Sequence, residues 1–281
     1  MPFNYKTKPY EHQEEALLRS FNRKNYAYFM EMGCGKSKVL IDNITWLYEE
    51  QKIDTAIIIA PKGVYMNWKN AEIPIHLPDN IEKNVYIWKA SANKTEKKVL
   101  EEGVKTRDKL RILLVNVESF ATAKVIKYLE AFTHRSNFML AVDESTTIKN
   151  IKAKRTKSVL KLGDSAQYKR ILTGSPITQS PMDLYAQCAF LDKDLLGFDS
   201  YWSFQGRYAI VRQTRMGNHS FQQVVGFRNL EELTDKLHNF AYRVTKKEAL
   251  DLPDKIYTTR EVVLTSDQIK HYNSMKDVAV A

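Results

Sequence analysis

Short apolar runs, separated by segments with helical spacing, constrain this chain more than any other feature. They are YAYFM (26–30), TAIIIA (55–60), NVYIW (84–88), RILLVN (111–116), NFMLAVD (137–143) and KRILTG (169–174). TAIIIA is β-branched, apolar and bounded by Asp54 and Pro61, the pattern of a strand buried on both faces of a parallel sheet. Between the runs lie helical segments such as KSKVLIDNITWLYEEQ, TEKKVLEEG and AKVIKYLEAF. This alternation predicts an α/β fold, a doubly wound parallel sheet with helices on both faces. Ligands of such sheets collect beyond the carboxyl ends of the strands, so the residues just after each run are the candidates for function.

After YAYFM stands Met30-Glu31-Met32-Gly33-Cys34-Gly35-Lys36-Ser37. Two glycines let successive N–H groups converge on an anion, Lys36 adds a mobile cation, and the Ser37 hydroxyl suits Mg²⁺. The strict phosphate-loop pattern has glycine where this chain has Met30, so an ordinary Gly-rich strand-to-helix turn is the competing reading. Cys34 reads as a small side chain that fits the loop; nothing requires redox chemistry of it. Gln13 heads the preceding helix of KPYEHQEEALLRSF and is either an adenine contact or a solvated surface residue.

After TAIIIA come Lys62, Asn67, Trp68 and Lys69, amides and cations that can grip a phosphodiester backbone; Trp68 itself reads as packing for the next helix. Ser119, after RILLVN, reads as an N-cap for AKVIKYLEAF. After NFMLAV stand Asp143 and Glu144, adjacent carboxylates that are costly to bury unless they serve a cation. Beside a phosphate loop, Asp143 can hold Mg²⁺ and Glu144 can orient and deprotonate a water. After KRIL come Thr173, Gly174 and Ser175; the hydroxyls of Thr173 and Ser175 either bond Glu144 or only shape a tight turn. Farther on, alternating runs flank Met216-Gly217-Asn218-His219 and predict a β-hairpin made basic by Arg207, Arg212, Arg215 and Arg228. LEELTDKLHNFAYRV then reads as an amphipathic helix.

Composition bounds the partners. At 281 residues, 43% hydrophobic and 27% charged, the chain has room for one large α/β domain or two small ones. Its net charge of +10 favours a polyanionic partner, or reflects lysines coating helices. With no long apolar stretch and no apolar core near the N-terminus, it reads as a protein of the cell interior with no membrane partner. Cys34 and Cys188 argue against a disulfide scaffold and have no metal-ligand spacing.

The series HQ, MEMGCGKS, IIIAPKGVYMNWKN, LLVNVESF, AVDESTTIKN and LTGSPITQSPMDLY, in that order, resembles the first motor lobe of helicase superfamily two, in the Swi/Snf form of the double-stranded-DNA translocases. FAYRVTKKEALDLPDK resembles that family's basic element followed by LPxK. The resemblance implies a RecA-like lobe over 1–190, an extension with a basic hairpin and helix over 191–255, and over 256–281 the start of a linker to a second RecA-like lobe, in the same chain or in trans, that supplies arginines. It implies ATP and Mg²⁺ as cofactors and duplex DNA as partner, with the lobe alone only weakly active. Gln13 would contact adenine; Met32, Gly33, Cys34 and Gly35 would cradle the phosphates. Lys36 would take the β- and γ-phosphates, Ser37 and Asp143 the Mg²⁺, and Glu144 the water. Lys62, Asn67, Ser119, Lys149, Asn150, Thr173, Gly174 and Ser175 would face or communicate with nucleic acid. Ser145 and Thr146 depart from the family's Ala or Gly followed by His. The rival readings are a helicase unwinding RNA or single strands, a P-loop phosphotransferase and a non-enzymatic nucleic-acid module. A cytoplasmic location, nuclear in a eukaryote, goes with the first.

Overall fold

In the computed structural model, which describes residues 3–216, 219–251 and 258–279, every one of the six runs is a strand. They are β1 (Asn25–Met30), β2 (Thr55–Ala60), β3 (Lys83–Ile87), β4 (Leu110–Asn116), β5 (Phe138–Asp143) and β6 (Tyr168–Leu172). A hairpin follows, β7 (Ala209–Met216) and β8 (His219–Phe227), and then β9 (Ala241–Val244). The main sheet has the order β3-β4-β2-β5-β6-β1-β9, and every neighbour pair in it is parallel. The order reverses around β1, β5 and β6, where such sheets bind ligands.

Period-two alternation persists inside the uniformly apolar strands and builds a core on each face. Ala27, Phe29, Ile57 and Ile59 point to one face. There they meet α3 (Lys94–Lys105), α4 (Ala123–Thr133), α5 (Lys154–Gly163) and α6 (Asp183–Leu191) through Leu100, Leu129, Val159 and Leu184. Tyr28, Met30, Ile58 and Ala60 point to the other, against Leu17 of α1 (Glu11–Ser20) and Val39, Leu40 and Ile44 of α2 (Lys36–Glu49). Two arginines lie inside. Arg170 donates to the carbonyls of Ser20, Arg23, Lys24 and Lys169 and to Asn43 Oδ1. Arg111 serves Gly103, Phe132, Thr55 and Ser136 likewise. Both guanidiniums sit at the amino end of the sheet and bring donors to buried carbonyl and side-chain oxygens there.

Three local expectations change. The helix expected over LEELTDKLHNFAYRV is α8 (Leu230–His238) only; Ala241–Val244 is the edge strand β9. Its residues are buried except Arg243, and β1 would otherwise carry an unpaired edge. Tyr201–Tyr208, at the head of the expected hairpin, is a helix, α7, capped by Ser200; the hairpin turn at Gly217 and Asn218 lies outside the described residues. Ser119 does not cap α4. It sits in a 3₁₀ turn capped by Asn116, and Thr122 precedes the helix. Met1–Leu250 form one unit and Asp251–Ala281 another, which holds the helix α9 (Ser266–Ala279). The LPDK element, 252–255, lies outside the described residues.

Candidate nucleotide site

The site forms where the carboxyl ends of β1, β5 and β6 meet. The loop leaving β1 turns through Gly33 at φ 89° and Gly35 at φ 80°, left-handed conformations that strain any residue with a Cβ. Met30 is still a strand residue, paired with Val244 and wholly buried. Hence the missing glycine costs nothing, because its position needs a core side chain and no positive φ. Lys36 opens α2, lies buried, and donates from Nζ to Met30 O at 3.0 Å.

From α1, His12 Nε2 and Gln13 Nε2 reach Cys34 O at 2.9 and 3.2 Å. Gln13 Oε1 accepts the Tyr10 N–H at 3.0 Å. A Cβ on Gly35 would lie 2.2 Å from Gln13 Nε2, so this glycine also admits the amide. Gln13 therefore braces the loop in this structure. Tyr10 stacks on His12, and both line a groove of about 860 Å³ bounded by Tyr242 and Val244.

Asp143 ends β5. Its Oδ2 accepts the Trp68 indole N–H at 2.9 Å and its Oδ1 the Glu144 N–H at 3.0 Å. Burial pushes its carboxyl up to about 6, and the Trp68 bond works against that shift. Trp68 thus packs in the core, in keeping with its reading as a packing residue, and also aims the buried carboxylate. Glu144 has φ 47°, the kind of local strain that collects at functional sites. Its Oε2 accepts from Thr173 Oγ1 at 3.3 Å, and Thr173 Oγ1 accepts the Ser175 N–H at 3.2 Å. Beyond Thr173, a Cβ on Gly174 would meet Met32 N at 3.1 Å. The loop after β6 thus touches the phosphate loop and the acidic pair together.

A second layer holds that loop. Ser145, fully buried, donates to Gln187 Oε1 at 2.6 Å, and Gln187 Nε2 donates to Pro176 O at 2.8 Å. Asp183 accepts from the amides of Thr178 and Gln179 at 3.0 and 2.9 Å. Lys149 donates to Thr178 Oγ1 and lies 3.4 Å from the Asp183 carboxylate. So Lys149 engages the loop after β6.

The remaining candidates lie apart from this cluster. Lys62 is exposed. Asn67 is exposed and donates to Glu72, Asn150 accepts the Lys152 N–H, and Ser119 bonds Asn116. In the extension, Arg207 pairs with Glu232 and Arg228 donates to Gly206 O and Arg207 O. Those two pin the hairpin to its surroundings; Arg212 and Arg215 stand exposed on it. The roles of Gln187, Trp68 and His12 in this cluster were not singled out from sequence; only the adjacency of His12 to Gln13 signals one of them.

With this geometry in hand, comparison with known proteins is specific. A family model described as SNF2-related domain matches residues 17–281. The chain is 25% identical over 235 residues to the helicase-like transcription factor of Homo sapiens, covering 81% of this chain and 21% of that protein. It is 28% identical over 254 residues to the SWI/SNF chromatin-remodeling complex subunit snf22 of Schizosaccharomyces pombe, covering 88% and 14%. Among solved structures it resembles the Sulfolobus solfataricus SWI2/SNF2 ATPase core domain, with a TM-score of 0.63, 26% identity and coverage of 99% of this chain and 52% of that one. The same core in complex with dsDNA has a TM-score of 0.66 at 24% identity and 55% coverage. This chain thus spans about half of the solved cores and 14–21% of these curated relatives.

Proposed function

The chain belongs to the SNF2-related domain family, and from that membership we propose that it is the ATP-binding motor lobe of a DNA-dependent ATPase that translocates on duplex DNA. The observation that carries the reading is the convergence of the glycine loop, the acidic pair and Thr173-Gly174 at three adjacent strand ends, linked by the Thr173–Glu144 bond.

In this reading Lys36 exchanges its bond to Met30 O for the β- and γ-phosphates, which the amides of residues 32–36 cradle with the N-terminus of α2. Gln13 turns toward the adenine edge, with the groove beside Tyr10 and His12 receiving the nucleoside. Mg²⁺ fits the donors present. Asp143 keeps a lone pair free on each oxygen, Ser37 offers a hydroxyl, and a carboxylate that burial disfavours gains most from a cation. Among the described residues no cluster of three or more His, Cys, Asp or Glu could hold a metal alone, which suits an ion held by one carboxylate, a hydroxyl and phosphate oxygens. When bound, Mg²⁺ would neutralise charge on the terminal phosphates. Glu144, oriented by Thr173, positions and deprotonates the attacking water.

No arginine of the described residues bonds Asp143 or Glu144 in this lobe. A second RecA-like lobe, in the same polypeptide or in trans, would supply those that stabilise the transferring phosphate. Duplex DNA as partner is supported by the net charge of +10 and by the neighbour whose core was solved with dsDNA. Lys62, Asn67, Ser119, Lys149, Asn150, Thr173, Gly174 and Ser175 would contact it or report on it. No described helix is long and apolar enough to cross a membrane; an intracellular place of action, nuclear in a eukaryote, belongs to the same proposal. The test is ATP turnover by the full-length protein with duplex DNA, single-stranded DNA and RNA. Lys36→Ala serves as blank, and Glu144→Gln is expected to bind ATP without turning it over. Strong DNA-independent turnover by residues 1–281 would refute the motor-lobe reading, and stimulation by RNA alone would replace DNA with RNA.

A further inference from the structure

The geometry points to Lys246 as a second phosphate-binding cation of the nucleotide site, set on the side of the loop away from the acidic pair. This rests on the nucleotide-binding reading above and adds to it a residue from the far end of the lobe.

β9 runs parallel to β1 in the register Met30↔Val244. The chain leaving β9 therefore emerges at the same end of the sheet as the phosphate loop and beside it. Two hydrogen bonds join them: Glu31 N–H to Val244 O at 2.9 Å, and Lys246 N–H to Glu31 Oε2 at 2.8 Å. The Lys246 side chain then lies along the loop. A Cβ on Gly33 would meet its Cε at 3.1 Å and its Nζ at 3.6 Å, so the glycine leaves the space this side chain occupies.

No carboxylate among the described residues forms an ion pair with the Lys246 ammonium. The nearby acids accept from neutral donors and form no ion pair with it: Glu31 Oε2 accepts the backbone N–H of Lys246, while Glu248 accepts from Thr245 N and Oγ1 at 2.7 Å each. Arg243 and Lys247 bring only charge of the same sign. An ammonium held against the loop, in no ion pair among the described residues, is the electrostatic complement of a phosphate.

Sheet order says which phosphate. The acidic pair stands at the end of β5, on one side of β1, and Lys246 follows β9, on the other. The groove beside Tyr10 and His12 is bounded by Val244, Glu248 and Ala249, residues that flank Lys246 in sequence. A nucleotide with its base in that groove and its terminal phosphate near Asp143 passes Lys246 with the phosphates nearer the nucleoside, which ADP and ATP share.

Equilibrium binding of ADP and of a non-hydrolysable ATP analogue to the 281-residue chain tests this, with Lys246→Met, which keeps an unbranched apolar arm, and Lys246→Arg, which keeps the charge. Lys246→Met should weaken both nucleotides by the same factor, about tenfold for one charge-assisted contact, and flatten the salt dependence. Lys246→Arg should stay within about threefold of the parent. Parent-like ADP affinity in Lys246→Met, or a loss confined to the ATP analogue, overturns the inference. Thermal unfolding of each variant separates a folding defect, in which Arg and Met fall together, from loss of charge. A parent that binds no better than Lys36→Ala removes the nucleotide reading itself, a different result from parent-like binding by Lys246→Met.

Discussion

Ser145→Ala deletes the hydroxyl that donates to Gln187 Oε1 at 2.6 Å, at a place where both residues are wholly buried. The Gln187 amide nitrogen is already committed to Pro176 O and Asp183 O, each at 2.8 Å, so the side chain cannot turn over to find another donor. Its Oε1 would stay buried and unsatisfied, which costs about 1–3 kcal/mol. For a unit of this size that is a fall in Tm of about 2–4 °C per kcal/mol. Gln187→Met should cost more alone, since it also strands Pro176 O. In the double variant the lost bond is counted once, so the two changes should couple by about 1–2 kcal/mol. Pro176 lies in the loop that Thr173 begins, so the same change loosens that loop while leaving the bonds of Asp143 and Glu144 in place. Nucleotide binding should therefore hold within about twofold, while DNA-stimulated turnover of the full-length protein falls more than basal turnover. The assays are urea unfolding of the four proteins of the cycle and turnover with and without duplex DNA. Additivity within about 0.5 kcal/mol, or an unchanged Tm for Ser145→Ala, would refute the claim that this bond ties the acidic pair to the loop after β6.

Gly35→Ala combines left-handed strain of about 1–2 kcal/mol with a Cβ 2.2 Å from Gln13 Nε2. ATP affinity measured by calorimetry should fall more than tenfold, and adding Gln13→Ala should recover thermal stability by relieving the clash; no recovery would show that the two do not meet. Burial pushes the Asp42 carboxyl, paired with Lys38 at 2.8 Å, up to about 6. A carboxyl raised in the folded state contributes stability that is complete below its unfolded pKa and lost as pH rises through about 6. Relative to Asp42→Asn, which does not titrate, the parent should lose about 2–3 kcal/mol between pH 4 and pH 7, and a difference independent of pH in denaturant titrations contradicts the assignment. Arg170→Met removes the guanidinium from the carbonyls of Ser20, Arg23, Lys24 and Lys169 and from Asn43 Oδ1; Ser20 O and Lys24 O keep the Arg23 and Lys169 N–H groups, and the other three lose this donor. A loss of about 3–5 kcal/mol in urea unfolding is expected, and a change below about 1 kcal/mol would mean that water replaces the guanidinium.

What could be read from the chain follows from how far apart the cooperating residues lie. Each strand of the main sheet up to β6 is a local pattern, and so is the turn chemistry of Gly33-Cys34-Gly35, because both are decided by neighbours in sequence. The acidic pair was legible for the same reason: Asp143 and Glu144 directly follow an apolar strand, and burying them demands a purpose. The contacts that aim those groups are of another kind. Trp68 reaches Asp143 across 75 positions and Ser145 reaches Gln187 across 42, distances over which only the parallel sheet, with its strand ends gathered on one side, makes neighbours. The misread segment AYRV shows the limit most clearly. Its spacing continues the helix before it, and what makes it a strand is the open edge of β1, more than 200 positions upstream by the Ala27↔Ala241 pairing. Reading it as helix also hides Lys246, since on a helix that lysine would follow the last turn away from the sheet, whereas on β9 it must exit beside the phosphate loop. Edge pairing, which propensity cannot anticipate, thereby decides which cation is carried to the glycine loop.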